Sequence, residues 1–322
     1  MKIRPLRVLS VAGAITLLTA CGAESGAEPV SSGSGSDKIT VGVIPISSNA
    51  PIYLGQQEGF FEEEGLELEI QNTVGGAAAV PAVVSGNFDF ADSNIVSLLV
   101  AADQGLDLEI VAPGSASSGD PNKDATAVIV PKESPISTPA DLSGKTISVN
   151  TLSNIGDTTI SAVVEEDGGD PSTIDFVEVP FPEAEAALES GNVDAAWVAE
   201  PFLTSALKSG SRAVTYNYAD FDPATPIEAY FTTSKFAEEN PDIVERFTRA
   251  MHKSHEFASS NPDAVREIVG TYTKIDAGLR AEMTLNKYPT EFNEEILQKL
   301  ADAALKYGTL QNKIDVSTLI QE

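Results

Sequence analysis

The chain has 322 residues, 42% of them hydrophobic, with 48 Asp and Glu against 20 Lys and Arg and a formal charge of −28. That length holds two lobes with a core each. So acidic a balance argues against nucleic acid and against electrostatic docking on anionic lipid, and a single cysteine excludes an intramolecular disulfide.

At the N-terminus, Lys2, Arg4 and Arg7 precede the uncharged apolar run Val8–Leu18. This is the order of a signal peptide's n-region and h-region, and the run is too short to span a membrane. Leu18-Thr19-Ala20-Cys21-Gly22 resembles the lipobox of bacterial lipoproteins, which implies removal of a 1–20 signal peptide and lipidation of Cys21. Loss of 1–20 takes three positive charges and no negative ones, leaving −31. Gly22–Asp37 is rich in Gly, Ser, Ala and Glu and lacks apolar periodicity, so 21–37 reads as a lipid-anchored, disordered tether. The expected location is extracytoplasmic, anchored to the cell membrane.

From Lys38 the pattern alternates. Strand Lys38–Ile44 leads through Ser47-Ser48-Asn49 into a helix from Ala50 to Glu64, with Pro51 in its first turn and Gly65 ending it. Strand Leu66–Ile70, a helix from Gly75-Gly76 to Ser85, strand Phe88–Asp92, helix Ile95–Gln104 and strand Leu108–Ala112 follow. Such alternation predicts parallel strands with crossover helices, an α/β lobe. After the loop Ser115–Lys123, the β-prone run Ala125–Val130 reads as a first crossing into a second lobe. That lobe comprises strand Thr146–Asn150, helix Ile155–Asp167, strand Asp175–Val179, helix Pro182–Ser190, strand Ala195–Val198 and helix Pro201–Ser209. Ile227–Thr232 mirrors the first crossing and returns the chain, so the expected lobes are 38–125 with 227–322, and 126–226. Beyond Lys235 helices predominate (Pro241–Asn261, Pro262–Tyr272, Ala277–Leu285, Glu291–Tyr307). Apolar residues at three- and four-residue spacing, such as Ile243, Phe247, Ala250 and Met251, should pack them across the outside.

A repeat supports the two-lobe reading. Gly86-Asn87-Phe88-Asp89 returns as Gly191-Asn192-Val193-Asp194, and Ser48-Asn49 as Ser153-Asn154, both at an offset of 105 residues. The first pair marks a helix end and tight turn into a short buried strand. The second follows an apolar strand and precedes a helix.

Taken together, these pieces resemble the substrate-binding proteins of bacterial ABC importers, in particular the nitrate/sulfonate/taurine and thiamine-pyrimidine group. The resemblance rests on Gly59-Phe60-Phe61-Glu62-Glu63-Glu64-Gly65-Leu66, Gly75-Gly76, Ser85-Gly86-Asn87-Phe88-Asp89 and Val130-Pro131-Lys132-Glu133-Ser134-Pro135-Ile136. It rests also on Asp141-Leu142-Ser143-Gly144-Lys145, Gly191-Asn192-Val193-Asp194-Ala195-Ala196-Trp197 and Glu200-Pro201, and covers roughly 38–310. It implies a two-lobed α/β fold of the type II periplasmic-binding-protein kind, with two hinge crossovers and a ligand cleft between the lobes.

In open α/β sheets the ligand lies outside the carboxyl ends of the strands. Here those ends are the loops Pro45–Pro51, Thr73–Ala77, Asp92–Asn94, Gly114–Ser118, Asn150–Asp157 and Ala199–Phe202. Candidate ligand contacts are Ser47, Ser48, Asn49, Gly75, Gly76, Ser93, Asn94, Ser115, Asn154, Trp197, Glu200 and Tyr230. Hydroxyls and amides that run into helix N-termini suit an anion, although each can equally be a helix cap. Gly75-Gly76 would let backbone approach a ligand closely. Trp197, Tyr230 and the weaker candidate Tyr53 offer flat contact, or fill core. Glu200 could accept from a ligand ammonium or ring N–H, or cap the helix after Pro201. His252 and His255 read as part of a helix surface, with no third metal ligand in view. No metal or cofactor is expected.

The residues bear on several functions. The first is delivery of a small organic anion, sulfonate or carboxylate, to an ABC importer. Bare nitrate suits the cleft less well, because the cleft loops carry no Lys or His. The alternative is a neutral pyrimidine-like heterocycle read by Glu200 and Asn154. An enzyme resembling the thiamine-pyrimidine synthases ranks last, since no Gly-x-Ser-x-Gly, His-Glu-x-x-His or cysteine cluster is present. A sensor reporting a ligand to a membrane partner shares every feature of the first reading. The expected partners are a small-molecule ligand, permease subunits and, through Cys21, the membrane, with no nucleic acid; a monomer is expected.

Overall fold

The computed structural model describes residues 36–320, so the expected signal peptide, Cys21 and most of the tether lie outside the described residues. Asp37, expected in the tether, opens β1 (Asp37–Val43) and meets Arg246 at 2.6 Å. The single helix expected over 50–64 is two, α1 (Ala50–Gln57) and α2 (Phe60–Glu63). Gly59 separates them at φ 81°, a left-handed conformation that interrupts helical backbone without a Cβ penalty. Then come β2 (Leu66–Asn72), α3 (Gly76–Val84), β3 (Phe90–Asn94), α4 (Ile95–Asp103) and β4 (Leu108–Pro113).

The middle of the chain carries β5 (Thr126–Val130), β6 (Thr146–Val149), α5 (Ile155–Glu166), β7 (Asp175–Glu178), α6 (Phe181–Glu189), β8 (Ala195–Ala199) and α7 (Phe202–Ser209). Two elements absent from the sequence reading follow, β9 (Arg212–Thr215) and α8 (Asn217–Phe221). β9 has only four residues and exists by pairing with β5. β10 (Glu228–Thr233) is followed by α9 (Ser234–Glu239), α10 (Pro241–Ser260), α11 (Pro262–Tyr272), α12 (Ala277–Glu282) and α13 (Glu294–Lys306).

The strands form two five-stranded sheets with one plan, β2-β1-β3-β10-β4 and β7-β6-β8-β5-β9. β3 and β8 begin and end 105 residues apart. The expectation of wholly parallel sheets is corrected: β10 runs antiparallel to β3 and β4, and β5 antiparallel to β8 and β9. The cause is where the chain crosses. It leaves β4 at a carboxyl end and enters the second sheet from the matching end, so the entering strand must run against its neighbours.

The two crossings also pair with each other. Gly114 N donates to Glu228 O at 2.8 Å, Ile227 N to Ser115 O at 2.8 Å and Ser117 N to Thr225 O at 2.9 Å. A Cβ on Gly114 would lie 2.8 Å from the Glu228 carbonyl carbon, so this approach depends on glycine.

One apolar cluster joins the facing sides of both sheets, from Ile44 and Ala91 to Ile147 and Trp197, and takes in Leu300 and Ala304 of α13. α13 packs on α4 and α5 alike. α10 covers the far side of the first sheet, where Phe247 stacks on Phe90 at a centroid distance of 4.2 Å.

The repeated Gly-Asn-x-Asp is structural. Gly86 and Gly191 take φ 74° and 70° at helix ends. The Asp89 carboxylate accepts from Thr40 N at 2.8 Å, and that of Asp194 from Thr146 N at 2.9 Å. Each aspartate thus ties the start of its strand to the neighbouring strand, at the end of the sheet away from the cleft. We predict that Asp89→Ala lowers the unfolding free energy by about 1–2 kcal/mol, as for a charge-assisted hydrogen bond to backbone. Urea denaturation checks this, and an unchanged midpoint would refute it.

Candidate functional site

On the first sheet, the wall of the site is built where β1 and β3 end. Ile44, Ile46 and Ser48 follow β1, Asn94 closes β3, and Glu228 opens β10. Asn94 caps α4: its Oδ1 accepts from Ser97 N, and its Nδ2 donates to Ser97 Oγ, both at 2.9 Å. Behind this wall Asn49 is a buried junction. Its Nδ2 donates to Asp92 Oδ2 at 2.9 Å and Ile44 O at 3.1 Å, and its Oδ1 accepts from the Tyr230 hydroxyl at 3.1 Å.

Three buried carboxylates in this region, Asp92, Glu228 and Glu200, form no ion pair among the described residues, although Lys123 acts on Glu200 from a distance. Burial raises Asp92 well above the usual carboxylate range, the nearby Glu228 raises it further, and only Asn49 opposes. Burial raises Glu228 as well, but Ser115 Oγ donates to its Oε2 at 3.0 Å and favours the ionised form. The Ser48 hydroxyl acts in the same direction from nearby but completes no hydrogen bond of its own. Glu200 is also raised by burial, yet both its oxygens are engaged, with Thr204 N at 3.0 Å, Thr204 Oγ1 at 2.7 Å and Thr284 N at 3.0 Å.

The second sheet supplies an aromatic wall. Trp197 on β8 lies against Phe181 and Tyr218 at 5.3 and 5.9 Å between centroids, and its Nε1 donates to Asn217 Oδ1 at 3.0 Å. The ring rests on the first turn of α5, where a Cβ on Gly156 would come within 2.8 Å of it. Asn154 holds that turn by accepting from Gly156 N at 2.6 Å, and its Nδ2 donates to Thr151 Oγ1 at 2.7 Å. The Asp157 carboxylate accepts from Ser153 N and Asn154 N, each at 2.7 Å, while burial pushes it up to about 6.

Between the walls lies a cavity of about 30 Å³, room for a few waters at most. Of the candidate residues, Ser48, Asn94, Trp197 and Glu200 line it. Ser47, Asn49, Ser93, Ser115, Asn154 and Tyr230 are buried but do not line it, and Tyr230, expected to offer flat contact, packs against Phe247 on the far side of the first sheet. Gly75 approaches Thr151 across the mouth, where a Cβ would meet Thr151 Cγ2 at 2.6 Å, and Gly76 packs on Ser93. Glu228, Thr126, Phe181 and Tyr218 line the cavity and escaped the sequence reading. Glu228 carried a usable signal: a charged residue opening a β-prone run. His255 is buried instead of lying on a helix surface. Its Nδ1–H donates to Pro289 O at 2.7 Å, and burial lowers it to about 4.

The raised carboxyls fix a pH dependence. A carboxyl whose folded value exceeds its unfolded value binds more protons folded, so stability falls as pH rises from about 4 through the folded value. We predict that Asp92→Asn, which keeps an acceptor for Asn49, is more stable than the parent at pH 8 by at least about 1 kcal/mol. That gain should shrink toward pH 4. Chemical denaturation across pH tests this, and a gain independent of pH would refute the assignment.

The family described as NMT1/THI5 like matches residues 47–265. The taurine-binding periplasmic protein of Escherichia coli is 26% identical over 226 residues, covering 70% of this chain and 68% of that one. The formylaminopyrimidine-binding protein of Halalkalibacterium halodurans is 25% identical over 225 residues, 68% of this chain and 65% of that one. Among solved structures, the alkanesulfonate-binding protein SsuA from Xanthomonas axonopodis pv. citri bound to MOPS superposes with a TM-score of 0.75 at 16% identity, over 89% of this chain and 99% of that one. The shared fold is that of periplasmic binding proteins, two lobes about a cleft. With the family match spanning most of the described residues, the chain belongs to the NMT1/THI5-like family.

Proposed function

We propose that the chain is the solute-binding component of an ABC importer, which takes a small organic anion of sulfonate or carboxylate type into the cleft and presents it to permease subunits. One observation carries this reading. The strand carboxyl ends of both sheets converge on a single cavity with an aromatic wall, Trp197 and Phe181, facing a hydrogen-bonding wall, Ser48 and Asn94. Such a pair of walls suits a ligand with a small apolar body and a polar head. The taurine- and alkanesulfonate-binding relatives support the same class. The polar groups at the site serve helix caps and are not arranged as nucleophile and base, which supports a binder over a catalyst.

With only about 30 Å³ free, the ligand enters when the lobes part about the paired crossings, and closure follows. Micromolar affinity corresponds to about 8 kcal/mol, and ligand at a hundred times Kd stabilises the fold by about 2.7 kcal/mol. We expect taurine or 2-hydroxyethanesulfonate to raise the melting temperature by several degrees, and Trp197, the only tryptophan, to change its emission on binding. If a pyrimidine alone shifts the melt, the organic-anion reading fails.

The same reading places the protein outside the cytoplasm, tethered through an acylated Cys21. Cys21→Ser should move it from the membrane fraction to the soluble one. Unchanged retention on the membrane would refute the anchor.

A further inference from the structure

The cavity is built to hold an anion's organic body, yet the charge it offers is negative. Glu228 is 4% exposed and lines the cavity, with one carboxylate oxygen held by Ser115 and the other making no hydrogen bond. Ser48, 7% exposed and lining the same space, has a hydroxyl with no hydrogen-bond partner. The ion pairs of the described residues all lie elsewhere, and no Lys or Arg lines the cavity. A buried carboxylate without a cation is costly, and a hydroxyl left orphaned beside it adds to that cost. The Ser48 hydroxyl lies near enough to favour the ionised form of Glu228 and can turn its hydrogen to that carboxylate, but the charge then still lacks a counter-charge, which a donor group with a positive charge and at least two N–H bonds supplies.

We infer that Glu228, with Ser48 beside it, receives a protonated nitrogen of the ligand, so that the cleft selects zwitterions with an ammonium or amidinium at one end and an acidic head at the other. The inference rests on the organic-anion reading and narrows it. An ammonium placed here donates to the free oxygen of Glu228 and to the Ser48 hydroxyl. Its charge offsets both Glu228 and the adjacent Asp92. The acidic head is left on the wall of the second sheet, toward Asn150, whose Oδ1 accepts from Asn154 while its Nδ2 makes no hydrogen bond among the described residues. A ligand with a hydroxyl in place of the ammonium keeps one hydrogen bond and loses the charge pairing. A simple dianion meets repulsion from Glu228.

Calorimetry on the folded protein at pH 7.5 tests this with taurine and 2-hydroxyethanesulfonate, which differ only in ammonium against hydroxyl. We expect taurine to bind about 30-fold or more tightly, the range for a desolvated charge pair. Glu228→Gln keeps an acceptor for Ser115 and removes the charge, and in it the two ligands should come within about threefold of each other. Equal affinities in the parent protein overturn the inference without recourse to any variant and leave the organic-anion reading standing. A taurine preference that survives Glu228→Gln in a protein of normal melting temperature overturns it too. If no sulfonate or carboxylate binds at millimolar concentration, the organic-anion reading fails and takes this inference with it.

Discussion

The pairing of the two crossings governs the rest of the structure. Gly114–Ser117 and Thr225–Glu228 hydrogen-bond to each other at the carboxyl ends of the strands, through contacts of 2.8–3.3 Å. Because the chain changes sheets there, the Ser-, Asn- and Gly-rich loops of both sheets face one another. The same geometry obliges β5 and β10 to run against their neighbours. It also carries Glu228 into the wall of the cavity and buries it among side chains whose positions the crossing has set.

The site is expensive in stability terms. Burial raises the cost of ionising both Asp92 and Glu228, Glu228 adds to that of Asp92, and a buried carboxylate is tolerated only with compensation. Part of the compensation is local: the Asn49 amide between Ile44, Asp92 and Tyr230, and the Ser115 hydroxyl on Glu228. The remainder comes from the apolar cluster shared by the two sheets and α13. α13 also reaches the second sheet through polar contacts, Lys306 to Glu165 and Lys299 to Asp222 at 2.9 Å, but these are exposed pairs of small individual worth. The apolar contacts of α13 with α4 and α5 therefore count for more than its polar ones in joining it to both sheets.

Local chemistry made much of the fold legible. The alternation of strands and helices up to Ser209, and the helices from Pro241 on, follow from periodicity, Pro at helix starts and Gly at helix ends, all encoded within a few residues. The repeat at 105 residues announced two sheets of one plan because each copy of Gly-Asn-x-Asp performs the same local task, joining the start of a strand to its neighbour. The motif belongs to the end of the sheet away from the cleft. Helix caps such as Asn94 and Asn154 were visible as the residues before apolar runs, and Glu200 showed its two possible roles without showing that Thr204 and Thr284 occupy both its oxygens.

What the sequence determined by itself is therefore the set of elements, their order and the chemistry of the strand-end loops, since those depend on neighbours a few positions apart. Tertiary structure alone decided strand direction, the four-residue β9, the burial of His255 and the membership of the cavity. Strand direction depends on where the chain crosses, which no local window contains. The cavity pairs Glu228 with Ser48 and Ser115, residues 180 and 113 positions away, and sets Trp197 on Gly156. A carboxylate's charge state, and with it the kind of ligand the cleft can hold, depends on which groups surround it in space, and only the folded chain brings those groups together.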